Sequence, residues 1–302
     1  EMTIVNGQLQ LTEHPASQPR GRTIDTFFCS LAEDCHNQAI AIVLSGSNDD
    51  GAAGIRAVRE RGGITFAQDR NTAEFKEMPS AAIATGQVDF VLPPAKMAEE
   101  LINISRHPYL REPAASDDTG TTHFGDGDLA TVFALLRKHT EVDFTHYKRT
   151  TFERRLRRRM ALKKLPDLED YIELLEANST EVQALFDDVL ISVTSFFRDE
   201  EAFDSLKREV LPEILQQPSA QDSIRIWVAG CSTGEEAYSI AMCLLECLDS
   251  LSISPTIQIF ATDVSEQAID EARLGRYLTS RMEGVSPGRR QRFFSEVDGI
   301  FQ

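Results

Sequence analysis

A chain of 302 residues, 41% of them hydrophobic, can fill two ordinary domains with packed cores, which excludes global disorder. Its formal net charge of −17 argues against a nucleic-acid partner, and no apolar run approaches the roughly eighteen residues of a membrane-spanning helix. The first residues carry no basic-then-apolar signal peptide, so a soluble cytoplasmic protein without membrane insertion is expected. The five cysteines (Cys29, Cys35, Cys231, Cys243, Cys247) are odd in number and lack zinc spacing, and the six histidines are scattered, so no metal site is expected. Cys243 and Cys247 stand one helical turn apart among apolar residues and read as core thiols.

In chain order, residues 39–44 are an apolar β run, 51–61 open a helix, and 64–67 form a short strand. A short helix at 80–85, a strand at 88–92 and a helix at 95–104 follow. Strands separated by helices predict a parallel sheet covered on both faces. The first forty residues offer little that could flank it. Residues 109–127, with Pro113, Gly120, Gly125, Gly127 and four acids, read as an interdomain linker. The predicted fold is α/β: a partial doubly wound parallel sheet in 1–108, an all-α subdomain in 128–205, and a partial Rossmann-like sheet in 206–302. A nucleotide-binding sheet usually has five or more strands, and the last block supplies about two. The chain therefore reads as the central piece of a longer fusion.

Residues 224–239 are an apolar strand, a small-residue turn and an amphipathic helix start; a second strand, 257–262, ends on Asp263. That order opens a nucleotide-binding α/β sheet. The turn lacks the third glycine of the dinucleotide fingerprint and carries Glu235 and Glu236 instead. Two buried acids there would repel a pyrophosphate. A ligand with ribose hydroxyls and positive charge fits better, and S-adenosylmethionine is of that kind. Read alone, the two glutamates are equally well helix N-terminal acids.

Further along, Tyr-Lys-Arg-Thr-Thr-Phe-Glu-Arg-Arg-Leu-Arg-Arg-Arg-Met (147–160), Ser-Val-Thr-Ser-Phe-Phe-Arg-Asp (192–199), Ala-Gly-Cys-Ser-Thr-Gly-Glu-Glu-Ala-Tyr-Ser (229–239) and Ala-Thr-Asp-Val (261–264) occur in that order. With them, residues 147–302 resemble the CheR-type protein-glutamate O-methyltransferases of chemotaxis. Leu-Ser-Gly-Ser-Asn-Asp-Asp-Gly-Ala-Ala-Gly (44–54), Gly-Gly-Ile-Thr-Phe-Ala-Gln-Asp (62–69), Met78-Pro79 and Gly-Gln-Val-Asp-Phe-Val-Leu-Pro (86–93) make residues 1–105 similar to the C-terminal part of the CheB-type methylesterase.

The resemblance implies a site. Ser192, Thr194 and Arg198 fall on the family segment that holds the methionine part of S-adenosylmethionine, with Ser192 where many members have asparagine. Glu236 and Asp263 match its acidic cofactor ligands, Asp263 as acceptor from ribose hydroxyls. A sulfonium methyl is already activated and a glutamate is ionised at neutral pH, so no general base is required. Residues 148–164 contain nine Lys/Arg and one acid, Glu153, with Phe152, Leu156 and Met160 on one apolar seam. Arg154, Arg155, Arg158 and Arg159 are then expected as a docking surface for the acidic methylation helices of a chemoreceptor; the plainer reading is a solvated helix face. Asp50 matches the third member of the methylesterase triad, the acid that orients imidazole. The serine and histidine of that triad precede the motif in the family, and neither His14 nor His36 has the family context, so no esterase activity is expected from this chain. Ser47 and Asn48 replace a usual methionine and glycine; asparagine tolerates the left-handed backbone such a turn needs. Read alone, Asn48 to Gly51 is a turn with a helix cap.

Three functions compete. The first is S-adenosylmethionine-dependent methylation of receptor glutamates. The second is a non-catalytic scaffold that binds receptors or signalling partners through the 148–164 helix. The third, a nicotinamide-dependent dehydrogenase, lacks its third turn glycine.

Overall fold

The computed structural model describes residues 1–12, 22–111, 123–190, 194–217, 222–249, 255–282, 284–297 and 299–302. They fall into two compact units, Glu1–Ile191 and Ser192–Gln302. His14, Ser192 and most of the predicted linker lie outside the described residues.

The first unit opens with an antiparallel hairpin, β1 (Met2–Val5) and β2 (Gln8–Leu11), turned by Asn6 and Gly7 in left-handed conformations. Helix α1 (Thr23–Cys35) follows and holds the hairpin through Ile4 N–H to Ser30 Oγ (3.0 Å) and Gly7 N–H to Asp34 Oδ2 (2.8 Å). Both elements were missing from the expectation for the first forty residues. An Asn-Gly turn and the apolar spacing of Ile24, Phe27, Phe28, Leu31 and Ala32 were the available signals. Next come β3 (Ile40–Val43), α2 (Ala52–Glu60), β4 (Ile64–Gln68), α3 (Glu77–Ala84), β5 (Phe90–Leu92), α4 (Pro94–Ile104) and the short α5 (Pro108–Arg111).

The three strands pair in parallel in the order β3-β4-β5, with Ile42 opposite Phe66 and Phe66 opposite Phe90. Side chains of β4 are buried on both faces, as a central parallel strand requires. Ala41, Val43 and Ala67 pack with Ala32, Ile55, Val58 and Ala82 of α1–α3, and Ile64 and Phe66 pack with Met97 and Ile104 of α4. Pro94 stands at the first turn of α4, where its missing N–H costs nothing.

The same unit continues into four helices: α6 (Asp126–Thr140), α7 (Arg149–Lys163), α8 (Leu168–Ala177) and α9 (Ser179–Val189). Asp126 and Asp128 occupy the first turn of α6, and Arg137, Lys138 and His139 its last, matching the helix dipole at both ends. Asn178 caps α9 by accepting the Thr180 N–H at 3.0 Å. Their shared core contains Val132, Leu136, Phe144, Phe152, Leu156, Tyr171 and Leu185. Phe152, Leu156 and Met160 lie on the buried seam read from the sequence.

In the second unit, α10 (Glu200–Ser205) runs through a π-helical stretch, Leu206–Val210, into α11 (Leu211–Leu215). Strand β6 (Ser223–Ala229), α12 (Glu235–Leu248), β7 (Thr256–Thr262) and α13 (Glu266–Leu274) form a β-α-β-α run, and β6 pairs with β7 in parallel. Then come β8 (Tyr277–Leu278), α14 (Pro287–Phe293), β9 (Glu296–Val297) and β10 (Ile300–Phe301), the strands joined antiparallel in the order β8-β10-β9. Ile224, Met242, Cys243, Tyr277 and Phe301 make the core. The other sheet face is open among the described residues: the register partners Trp227 and Phe260 are 73% and 54% exposed.

Candidate active site

The turn between β6 and α12 bends through Gly230 (φ 72°), Ser232 (φ 49°) and Gly234 (φ 97°). Gly234 has no room for a side chain, since a Cβ would meet Ala272 Cβ and Tyr277 Oη at 3.0 Å. The Gly230 and Cys231 N–H groups both donate to the Thr262 carbonyl, at 2.8 and 3.0 Å, and so tie the turn to the end of β7. Asp263, the next residue, accepts the Ser232 N–H through Oδ2 (2.8 Å) and the Ser265 N–H through Oδ1 (2.9 Å). One half-buried carboxylate thus fixes both strand ends. Each of its oxygens keeps a further lone pair for a ligand hydroxyl.

Of the two glutamates expected as buried acids, only Glu235 is buried, at 1% exposure; Glu236 is exposed. Glu235 pairs with Arg281 and accepts Thr233 Oγ1 at 2.6 Å, so its charge is neutralised within the fold. Their different fates follow from helix geometry, because consecutive residues project about 100° apart. The acids that remain open are Glu236 and Asp263. Both act on Cys231: burial first, then the charges of Asp263, Glu236 and Glu235, push its thiol above the ordinary range. The two predicted ligands therefore meet at one turn.

The donor set at this turn matches the chemistry of S-adenosylmethionine. Ser232 Oγ is buried at the turn without a hydrogen-bond partner, an orphan that a ligand would satisfy. Two uncompensated carboxylates suit a cationic, hydroxyl-bearing nucleoside and oppose a phosphate. The residues fit the group.

Thr194 and Arg198 belong to a segment anchored on α12. The Phe197 N–H donates to Ser239 Oγ (3.0 Å), one helical turn beyond Glu235 and Glu236. Phe196 packs edge-on against Tyr277 at 4.9 Å, and the Arg289 guanidinium lies 4.0 Å above the Phe197 ring. Arg289 is itself held by Glu246 at 2.7 and 2.9 Å, and those hydrogen bonds bring the Glu246 carboxyl down to about 2. Thr194 is half-buried and Arg198 exposed. Sequence reasoning did not find Ser239, Tyr277, Arg281 or Arg289. No local pattern marks them, since each acts on a residue distant in the chain.

The expected receptor-docking arginines are not a surface in this unit. Arg158 is 0% exposed, with its NH1 2.8 Å from Asp188 Oδ2 and its NH2 paired with Asp89. Burial alone would lower its pKa; Asp188 and then Asp89 reverse that and hold it well above the ordinary range. Arg155 is buried and donates to the Arg59 carbonyl (3.1 Å), and Arg159 is held by Glu181 at 2.8 Å. Arg154 is half-buried. The helix lies between the other bundle helices and the α2–β4 corner, so Arg155, Arg158 and Arg159 meet carboxylates and carbonyls of their own chain.

Asp50 is nearly buried and accepts the N–H groups of Ile24 (3.1 Å) and Asp25 (2.9 Å) at the start of α1. In return, Asp25 Oδ1 accepts Gly51 and Gly54 N–H (2.9 and 2.8 Å) at the start of α2. Burial raises the Asp25 pKa to about 6. Asn48 adopts φ 72° and its Oδ1 accepts the Asp50 N–H at 2.8 Å, so asparagine sustains the turn. Among the described residues, no group of three His, Cys, Asp or Glu is placed to hold a metal ion. No helix there is long and apolar enough to cross a membrane.

Comparison with known proteins agrees with this layout. Residues 192–302 match the CheR methyltransferase SAM-binding domain, 127–190 the CheR methyltransferase all-alpha domain, and 1–101 the CheB methylesterase. A 104.1 kDa protein of Rhodobacter capsulatus from the hypE 3′ region is 36% identical over 92% of the chain, which spans 31% of that protein. The chemotaxis protein methyltransferase of Borreliella burgdorferi is 32% identical, covering 58% of the chain and 64% of its own length. For that of Escherichia coli the identity is 31% and both coverages are 58%. The chain thus spans under two thirds of each relative. A Thermotoga maritima CheB methylesterase catalytic domain aligns with 34% of this chain and 56% of its own, at 29% identity and a TM-score of 0.30. With the two CheR matches running from 127 to 302 behind a CheB match, this chain belongs to the CheR-type methyltransferases, with S-adenosylmethionine as cofactor, and carries a CheB-type methylesterase segment ahead of them.

Proposed function

We propose that the chain is the methyl-transferring part of a longer protein that esterifies glutamate side chains of a methyl-accepting chemoreceptor. The observation that carries this reading is the open acidic turn, where Asp263 braces two strand ends and Glu236 stands exposed beside it. The cofactor would supply an already activated methyl group. Asp263 and Glu236 would bind its polar groups, and Thr194, Arg198 and Ser192 would hold its methionine end. An ionised glutamate needs no base, so the residues around the turn would hold and orient the cofactor rather than move protons. Cysteines that pack as core residues, such as Cys243 and Cys247, suit a reducing, cytoplasmic compartment. In the intact protein Asp50 would serve the methylesterase as triad acid. The scaffold reading rested on the basic helix, and its central arginines are taken up inside the chain.

The test is transfer of labelled methyl groups to a receptor cytoplasmic domain by the full-length protein. Asp263→Ala is expected to lower kcat/KM by about tenfold or more, the value of a charge-assisted hydrogen bond or two. Unchanged transfer would refute the assignment.

A further inference from the structure

Helix α7 is placed where a helix of its composition should not be. Nine Lys/Arg stand between residues 148 and 164, yet Phe152, Glu153, Arg155, Leu156, Arg158, Met160 and Ala161 are all buried. Its apolar seam faces the bundle. Its basic side faces the corner where α2 runs into β4 in the methylesterase segment. There Arg158 donates through Nε and NH2 to the Gly63 carbonyl at 3.0 and 2.9 Å, and Arg155 donates to the carbonyl of Arg59. These are the terminal carbonyls of a helix and the turn after it, where the dipole favours a cation. Behind them, Arg59 pairs with Asp89 and lies 3.2 Å from Asp188, so two arginines and two aspartates alternate in one dry cluster. Leu162 adds an apolar contact to the α4 side of the same sheet.

We propose that the basic side of α7 is an intramolecular docking surface whose occupant is the methylesterase segment, and that an acidic peptide reaches those arginines only when the segment is displaced. The proposal rests on the methyltransferase reading only for the acidic character of the outside partner. Asp89 and the carbonyls of Arg59, Glu60 and Gly63, all from the methylesterase segment, already fill places on Arg155 and Arg158 that glutamates of such a partner would take, while Asp188 stays with the bundle, so segment and partner are mutually exclusive. A surface masked in this way would couple the two opposed modules: release of one exposes the recognition helix of the other.

The experiment uses the full-length protein, a fluorescein-labelled glutamate-rich helical peptide, and no cofactor. Arg59→Glu places like charge against Asp89 and Asp188 without touching α7; Asp89→Asn is a milder second variant that can still accept from Thr65. Circular dichroism checks that both fold. The expected result is faster hydrogen exchange across 149–163 and at least tenfold tighter peptide binding in the variants. That gain should vanish when Arg154, Arg155 and Arg158 are also replaced by alanine. Faster exchange without tighter binding, a gain that survives the alanines, or unchanged exchange in both variants would each overturn the masking. Failure of methyl transfer would leave this readout untouched.

Discussion

The two units handle their buried charges in opposite ways. In residues 1–191 the arginines of α7 are consumed: Arg158, Arg155 and Arg159 each end on a carboxylate or carbonyl of the same unit. In residues 192–302 the acidic turn is only half consumed. Glu235 is neutralised by Arg281, while Glu236 is exposed and Asp263 half-buried. A closed network is a structural device; an open one is what the proposed site requires. Which of the two a charged run becomes depends on what the fold brings opposite it, not on the run.

Breaking the closed network should show the largest effect. Arg158→Ala takes a fully buried cation from Asp188 and Asp89 and leaves them sharing Arg59, and urea melts of the first unit should lose about 3–5 kcal/mol. Arg281→Ala takes the paired cation from the buried Glu235. It should cost about 3 kcal/mol, smaller because Arg281 is partly solvated, and would appear in the melt of the second unit. A third change sharpens the comparison through pH. Burial lifts Asp25 from 3.8 in the unfolded chain to about 6, so the stability this group contributes is complete below pH 4 and is lost as pH rises through 6. Both its backbone donors bind the one oxygen Oδ1, which asparagine retains. Asp25→Asn should therefore stabilise the first unit above pH 6, by at most about 3 kcal/mol, and flatten its stability profile between pH 4 and 6. The smallest effect belongs to an exposed pair on α13. Arg273→Ala, which removes a pair with the highly exposed Asp270, should change a melt by less than about 1 kcal/mol.

The parallel sheet of β3, β4 and β5 was legible because its short strands, the apolar β3 above all, alternate with helical periods. The β6–turn–α12–β7 run was legible for the same kind of reason, since its small-residue turn and terminal acid are local patterns. Burial was not. Glu235 and Glu236 are neighbours with the same side chain; which of them the helix turns inward depends on where α12 packs, and the partner of the inward one, Arg281, is 46 residues on. Likewise nine basic residues read as a surface until Asp89 and Asp188 arrive from two other elements. The hairpin and α1 were missed although an Asn-Gly turn and a helical apolar spacing announced them. Short, mostly exposed strands leave little hydrophobic signal to read.

The most direct measurement is calorimetric titration of the full-length protein with S-adenosylhomocysteine, alongside Asp263→Ala and Glu236→Gln. One-to-one binding to the wild type, weakened about tenfold or more by Asp263→Ala and measurably by Glu236→Gln, is the predicted result. Binding that neither substitution alters, or no binding to a folded wild type, would contradict the claim that this turn holds the cofactor.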